Sequence, residues 1–249
     1  MASENVPWNA ATGVGAEFQP TAWTDLRALS LTADPLEQRA ALERICRSYW
    51  KPIYAFIRRR GHTPEAAQDL TQDFFQHLLS KERLKLADQK RGRFRSFIQR
   101  SLSNFLASDW DRRSAQKRDE RVVVSLDETF DDGCLRFEPV AGEAPDRAFD
   151  RAWAVNLLTT VRARLEAELR HAGKESSLRL LPLAVREDDT TRYATIAVEL
   201  GLSESAVKKA IERLRIRWEQ LLRAEVAATV QTADEVEAEL RDLLAVLAQ

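Results

Sequence analysis

Asp69 and Asp73 are carboxylates one helical turn apart, the spacing an acid–base pair would use. They lie in PEAAQDLTQDFFQHL, where Ala67, Leu70, Thr71, Phe74, Phe75 and Leu78 fall on one side of a 3.6-residue repeat. Glu65, Asp69, Gln72, Asp73 and Gln76 fall on the other. Two acids on one open helix face have neither burial nor a cleft to separate their pKa values, so proton-transfer chemistry is not expected of them. Cys46 and Cys134 form no disulfide framework, and His62, His77 and His171 have no ligand spacing. No catalytic residue, metal or cofactor is therefore expected, and no nucleophile–base pair stands out. Taken alone, an acid-and-amide face with no cation within a turn reads as an ordinary solvated helix face.

A second chemistry is written in the cations. Residues 81–118 hold 12 basic and 4 acidic side chains, and residues 202–223 hold 6 and 3. Acidic stretches follow each island: 10 acidic against 3 basic over 119–150, and 6 against 1 over 224–249. Basic islands on a chain of net charge −1 are what a polyanion binder needs, because each phosphate neutralised releases counterions. In GRFRSFIQRSLSNFLASDWDRRSAQKR, Phe94, Phe97, Ile98, Ser101, Leu102 and Phe105 make an apolar stripe. Arg95, Gln99, Arg100, Ser103 and Asn104 are expected outside it. Aromatic rings interleaved with cations suit single-stranded nucleic acid, with Trp110 the candidate stacker.

The most specific local pattern is YATIAVELGLSESAVKKAIERLRIRW, residues 193–218. Ile196, Ala197 and Leu200 are expected on the inner face of a short helix. Gly201 supplies a turn with positive φ, Leu202 plugs that turn, and Ser203 caps the next helix. Val207, Ala210, Ile211, Leu214 and Trp218 would bury the second helix. Ser205, Lys208, Lys209, Glu212, Arg213 and Arg217 would face out, a polar and basic start that suits a DNA major groove.

The elements that must position these residues are helices. Ala, Leu, Glu and Arg are abundant, hydrophobic residues make up 44%, and only 8 Gly and 8 Pro occur in 249 residues. That composition excludes collagen-like, low-complexity and many-turned all-β chains. A helix is expected after Pro35, with Leu42, Ile45, Cys46, Tyr49 and Trp50 on one stripe and a restart at Pro52. Arg58–Arg60 and Gly61 would end it, and Thr63-Pro64-Glu65 starts the next. Phe149, Trp153, Leu157, Val161, Leu165 and Leu169 repeat at three and four, a core stripe. No apolar run is long enough to span a bilayer, and the N-terminus lacks a secretion signal, so a cytoplasmic protein without membrane insertion is expected.

Two blocks then carry a family resemblance. YWKPIYAFIRRRGHTPEAAQDLTQDFFQHLL with GRFRSFIQRSLSNFLASDWDRRSAQKR resembles the second region of bacterial RNA polymerase sigma factors. YATIAVELGLSESAVKKAIERLRIRWEQLL resembles their fourth region, and the order is similar to the compact extracytoplasmic-function (ECF) group. The resemblance implies an all-α protein of two small helical domains joined by an acidic linker, the second containing a helix-turn-helix. Its expected parts are a disordered 1–20, a region-2-like domain 21–118, a linker 119–145, a region-4-like domain 146–223 and an acidic helical extension 224–249. It also implies the partners: core RNA polymerase, promoter DNA and an inhibitory anti-sigma or other regulatory protein. Asp69, Gln72 and Asp73 would dock on the polymerase. Arg95, Arg100, Asn104, Asp109, Trp110, Arg112 and Arg113 would engage the minus-ten element. Ser203, Ser205, Lys208, Lys209, Glu212, Arg213 and Arg215 would read the minus-thirty-five element. The chain departs from the family pattern at LRLLPLAVREDDTTRY, which lacks the usual Leu-Pro start and glycine-containing loop, and in the extension, whose Val236, Leu240, Leu243, Leu244 and Leu247 are expected to pack on its own domain, a regulatory docking helix being the alternative. A stand-alone helix-turn-helix regulator that needs no polymerase is the alternative reading.

Overall fold

The computed structural model describes residues 22–31, 34–78, 92–115, 139, 142–185, 190–230 and 232–248, and no strand occurs among them. The fold is all-α. In chain order the helices are α1 (Ala22–Leu31), α2 (Pro35–Arg59), α3 (Pro64–Leu78), α4 (Phe94–Ala115) and α5 (Pro145–His171), then the short α6 (Glu175–Leu178) and α7 (Leu181–Val185), and finally α8 (Thr190–Leu200), α9 (Glu204–Ala227) and α10 (Ala233–Leu247). The segment 1–20, most of 119–145 and Cys134 lie outside the described residues.

Local chemistry explains the ends of α2 and α3. Asp34 caps α2, its Oδ1 accepting from the Leu36 N–H at 2.9 Å. Gly61 follows the arginine-rich end of α2 at φ +93°, and Thr63 Oγ1 accepts from the Ala66 N–H at 3.3 Å to open α3. Pro52 does not restart the chain as expected: α2 runs through it unbroken. A proline leaves the carbonyl four residues earlier without its N–H partner. Here Asn156 of α5 supplies the donor, its Nδ2 lying 3.2 Å from the Ser48 oxygen and 3.0 Å from the Arg47 oxygen. The helix survives because a neighbour makes the bond that proline cannot.

Two large apolar cores form among the described residues, beside a small cluster of Ala55, Ala148 and Ala152. The first gathers Trp23, Ile45, Tyr49, Ile53, Phe56, Phe74, Phe75, Phe94, Phe149 and Trp153. Its rings interlock, with Trp23 edge-on to Phe94 at 5.0 Å and Trp50 stacked parallel to Phe75 at 6.0 Å. The second holds Val161, Leu165 and Leu169 with Leu180, Leu183, Tyr193, Ala197, Val207, Ile211 and Leu214. The expected stripe of α5 is buried along its whole length, but its halves serve different cores: Phe149, Trp153 and Leu157 the first, Val161 to Leu169 the second. The cores therefore do not part at residue 146. Helix α1, which the sequence pattern did not announce, joins the first core and is fastened to α2 by Asp25, held by Arg44 at 2.6–3.1 Å.

The segment 224–249 also departs from expectation. It does not pack solely on the second helical block. Val226 and Leu243 are buried in the first core, with Val236 and Leu240 against it, while Leu244 and Leu247 are exposed. The bend between α9 and α10 accepts hydrogen bonds from two helix starts: Ala22 N–H to the Ala228 oxygen at 2.8 Å, and Phe94 N–H to the Thr229 oxygen at 3.2 Å. Both donors belong to first turns, which lack partners within their own helices. Thr232 and Glu235 then form a reciprocal capping box that opens α10.

Candidate nucleic-acid interface

The joint between α8 and α9 is set by backbone chemistry. Gly201 takes φ +63°, a conformation a side chain would strain. The Gly201 N–H then reaches the Val198 oxygen at 3.2 Å and the Leu202 N–H reaches the Ala197 oxygen at 2.9 Å, satisfying the last carbonyls of α8. Ser203 Oγ accepts from the Ala206 N–H at 3.2 Å and opens α9, and its hydroxyl lies 3.0 Å from that of Ser205. Ala197, Val207, Ile211 and Leu214 are buried where the helices meet. Leu202, expected to plug the turn, is instead 44% exposed, because the two helices already seal against each other through those residues. Ser203→Ala is expected to lower stability by about 1 kcal/mol; an unchanged thermal melt would show that the cap is idle.

Most of the expected reading residues on α9 do face outward. Ser203, Ser205, Lys208, Lys209, Glu212 and Arg213 are exposed. Lys208 pairs with Glu204 at 3.1 Å, an exposed i,i+4 contact worth only a few tenths of a kcal/mol and so easily exchanged for a phosphate. Arg215 does not join them. Its Nε and Nη2 each donate at 3.3 Å, to the Ala184 and Leu183 oxygens at the end of α7. It caps the end of α7 and ties α9 to it. Arg217, also expected outside, grips Glu168 of α5 through Nε at 2.8 Å and Nη2 at 2.7 Å.

On α4, Arg100 and Asn104 are exposed as expected. Asp109, Trp110, Arg112 and Arg113 fall on the last turns of α4, and their side chains lie outside the described residues. Arg95 is a correction: it is 7% exposed and sits in a buried ionic cluster. Its Nη1 donates to Asp150 at 2.6 Å, its Nη2 to Glu239 at 2.6 Å, and its guanidinium lies 4.9 Å from the centre of the Trp153 ring. Gln99 donates to the same Asp150 oxygen at 3.0 Å. Arg93 adds contacts to Asp242 and, at 3.4 Å, to Glu239. Burial pushes the Asp150 and Glu239 carboxyls above their ordinary range, with Arg95 pulling the other way. Sequence reading passed over Glu239, yet a signal was there: it lies on the α10 face with Val236, Leu240 and Leu243, a carboxylate inside an apolar stripe.

On α3, Asp69 is exposed, and Gln72 and Asp73 are partly exposed beside it. The opposite face is buried through Ala67, Leu70, Thr71, Phe74, Phe75 and Leu78. Thr71 satisfies its hydroxyl on the Ala67 oxygen at 2.7 Å. Cys46 lies in the first core, and burial pushes its thiol up to about 12, which makes it inert as a nucleophile. Among the described residues no group of His, Cys, Asp and Glu could hold a metal ion, and no helix is long and apolar enough to cross a membrane. No family model, curated protein or solved structure matches the chain.

Proposed function

We propose that the protein is an RNA polymerase sigma factor of the compact ECF type. It would bind core polymerase in the cytoplasm, direct it to a subset of promoters and assist opening of the duplex, with no catalytic step of its own. The observation that carries this reading is the Ser203-capped start of α9, which presents Ser205, Lys208, Lys209, Glu212 and Arg213 to solvent after a glycine turn. Polar and basic side chains at the start of the second of two such helices suit base edges and phosphates in a major groove. Two further features support it: the exposed Arg100 and Asn104 of α4, and the acid-and-amide surface of α3 around Asp69, which offers a docking face for core polymerase. An inhibitory protein that covers these surfaces would regulate it.

The direct test is run-off transcription with purified core polymerase and a library of upstream sequences. Enrichment of transcripts from a defined promoter class is the expected result. Specific duplex binding without any association with core polymerase would instead favour a stand-alone helix-turn-helix regulator. For the reading residues, Lys208→Ala and Arg213→Ala are each expected to weaken promoter binding by about 1–3 kcal/mol if they contact base edges. Unchanged affinity for both, in a filter or anisotropy assay at fixed salt, would remove α9 from the interface.

A further inference from the structure

We propose that α10 is an autoinhibitory clasp, whose Glu239 and Asp242 occupy the guanidiniums of Arg95 and Arg93 in the place of nucleic-acid phosphates. Binding of a single strand along α4 requires α10 to withdraw. The proposal rests on reading α4 as a nucleic-acid face, and its test separates the two.

The geometry is that of a captured anion. Arg95 meets the Glu239 carboxylate side-on, with Nε 3.4 Å from Oε1 and Nη2 2.6 Å from Oε2, the fork by which a guanidinium also takes a phosphate. Arg93 reaches across to Glu239 and Asp242 of the same helix. The acids come from a segment with 6 acidic residues against 1 basic, and the cations from an island rich in arginine and lysine. On a helical projection, Arg95, Gln99, Ser103, Arg100 and Asn104 fall within one half of α4, with Leu106 and Ala107 among them. Arg100 and Asn104 at one side of that half are open, while Arg95 at the other side is covered by α10.

Charge and apolar packing both hold the clasp, with Val236, Leu240 and Val246 partly buried against the first core. Leu243 is the one apolar side chain of α10 that is fully buried, and Leu244 is 65% exposed. Three carboxylates, Asp150, Glu239 and Asp242, face two guanidiniums, so the cluster carries excess negative charge in a place where burial disfavours it. A phosphate backbone can replace the α10 carboxylates charge for charge. Asp242 is half exposed at the rim of the cluster, where such an exchange would begin.

The experiment compares the full chain with Glu239→Gln/Asp242→Asn for binding of a fluorescently labelled single-stranded DNA oligonucleotide, with thermal melting alongside. The double variant is expected to bind about fivefold more tightly or better, the low end of ordinary coupling between two sites. Asp242→Asn alone serves if the double variant does not fold, and is expected to gain about twofold. Asp234→Asn removes the same charge from the exposed start of α10 and is expected to gain nothing. Hydrogen exchange across 233–247 should quicken when the oligonucleotide is added to the parent. Equal, measurable binding by parent and variants overturns the clasp and leaves α4 as a nucleic-acid face. Equal gains from Asp234→Asn and Asp242→Asn overturn it as well, since net charge alone would then explain them. No binding by any of the proteins overturns the nucleic-acid reading of α4 and the clasp with it.

Discussion

Replacing Arg95 with alanine is expected to lower the stability of the protein by about 3–5 kcal/mol, the usual result of removing one partner from a buried ionic cluster. For a chain of this size that is a fall in Tm of roughly 10 °C or more. The expectation comes from what is left behind. Asp150 and Glu239 would keep their burial and lose the fork that satisfies them, and Trp153 would lose the cation on its ring face. The damage would spread beyond α4, because Glu239 lies on the face of α10 that meets the first core beside Leu243. Arg100→Ala, five residues on and exposed, is the matched control and should change stability by about 0.5 kcal/mol or less. Thermal or urea melts of the two variants decide the matter. Similar melts for both would mean that Arg95 is not held as described.

Reversing the charge of α3 should have an equally large effect on partner binding. Asp69→Lys/Asp73→Lys is expected to abolish association with core RNA polymerase in co-elution, while circular dichroism shows native helicity. The surface around Asp69 faces solvent, and the apolar face that folds α3 is on its other side, so the substitution changes the partner's view of the helix more than the core. Where the partner presents cations to Asp69 and Asp73, the reversal sets like charges against each other at a cost of several kcal/mol, enough to abolish a micromolar complex. Undiminished co-elution of a folded double variant would take polymerase docking away from α3 and leave the proposed function without its protein partner.

How much was legible depended on how local the deciding physics was. The inward stripe from Phe149 to Leu169 was readable because one periodic pattern fixes one face. The Gly61 and Gly201 ends and the Thr63 and Ser203 caps were readable because each depends on a few adjacent residues. Apart from the exposed Leu202, the failures at Pro52, Arg95 and Arg215 involve partners far along the chain. Pro52 reads as a break until Asn156 is known to bond the Ser48 oxygen, 108 residues away. Arg95 sits beside Phe94 at the edge of the apolar stripe, and a carboxylate 144 residues later decides which way it belongs. Arg215 lies on a basic helix and looks like its neighbours Lys209 and Arg213, yet it is spent on carbonyls of α7 that no spacing rule connects to it. For the candidate site, the outward residues of α9 and the α3 face could be picked from pattern alone. The burial of Arg95 could not.

The return of residues 226–243 to the N-terminal core has a consequence for how the protein is made. As translation proceeds from one end, Trp23, Phe74 and Phe94 are synthesised long before Val226, Glu239 and Leu243 exist to cover them. Until then the early half is expected to lack part of its cover, which leaves apolar surface open to chaperones. That core can close only once residues 226–243 are made and clear of the ribosomal exit tunnel. This ties completion of one half of the molecule to completion of the other, and a nascent chain halted midway would be left without a finished core.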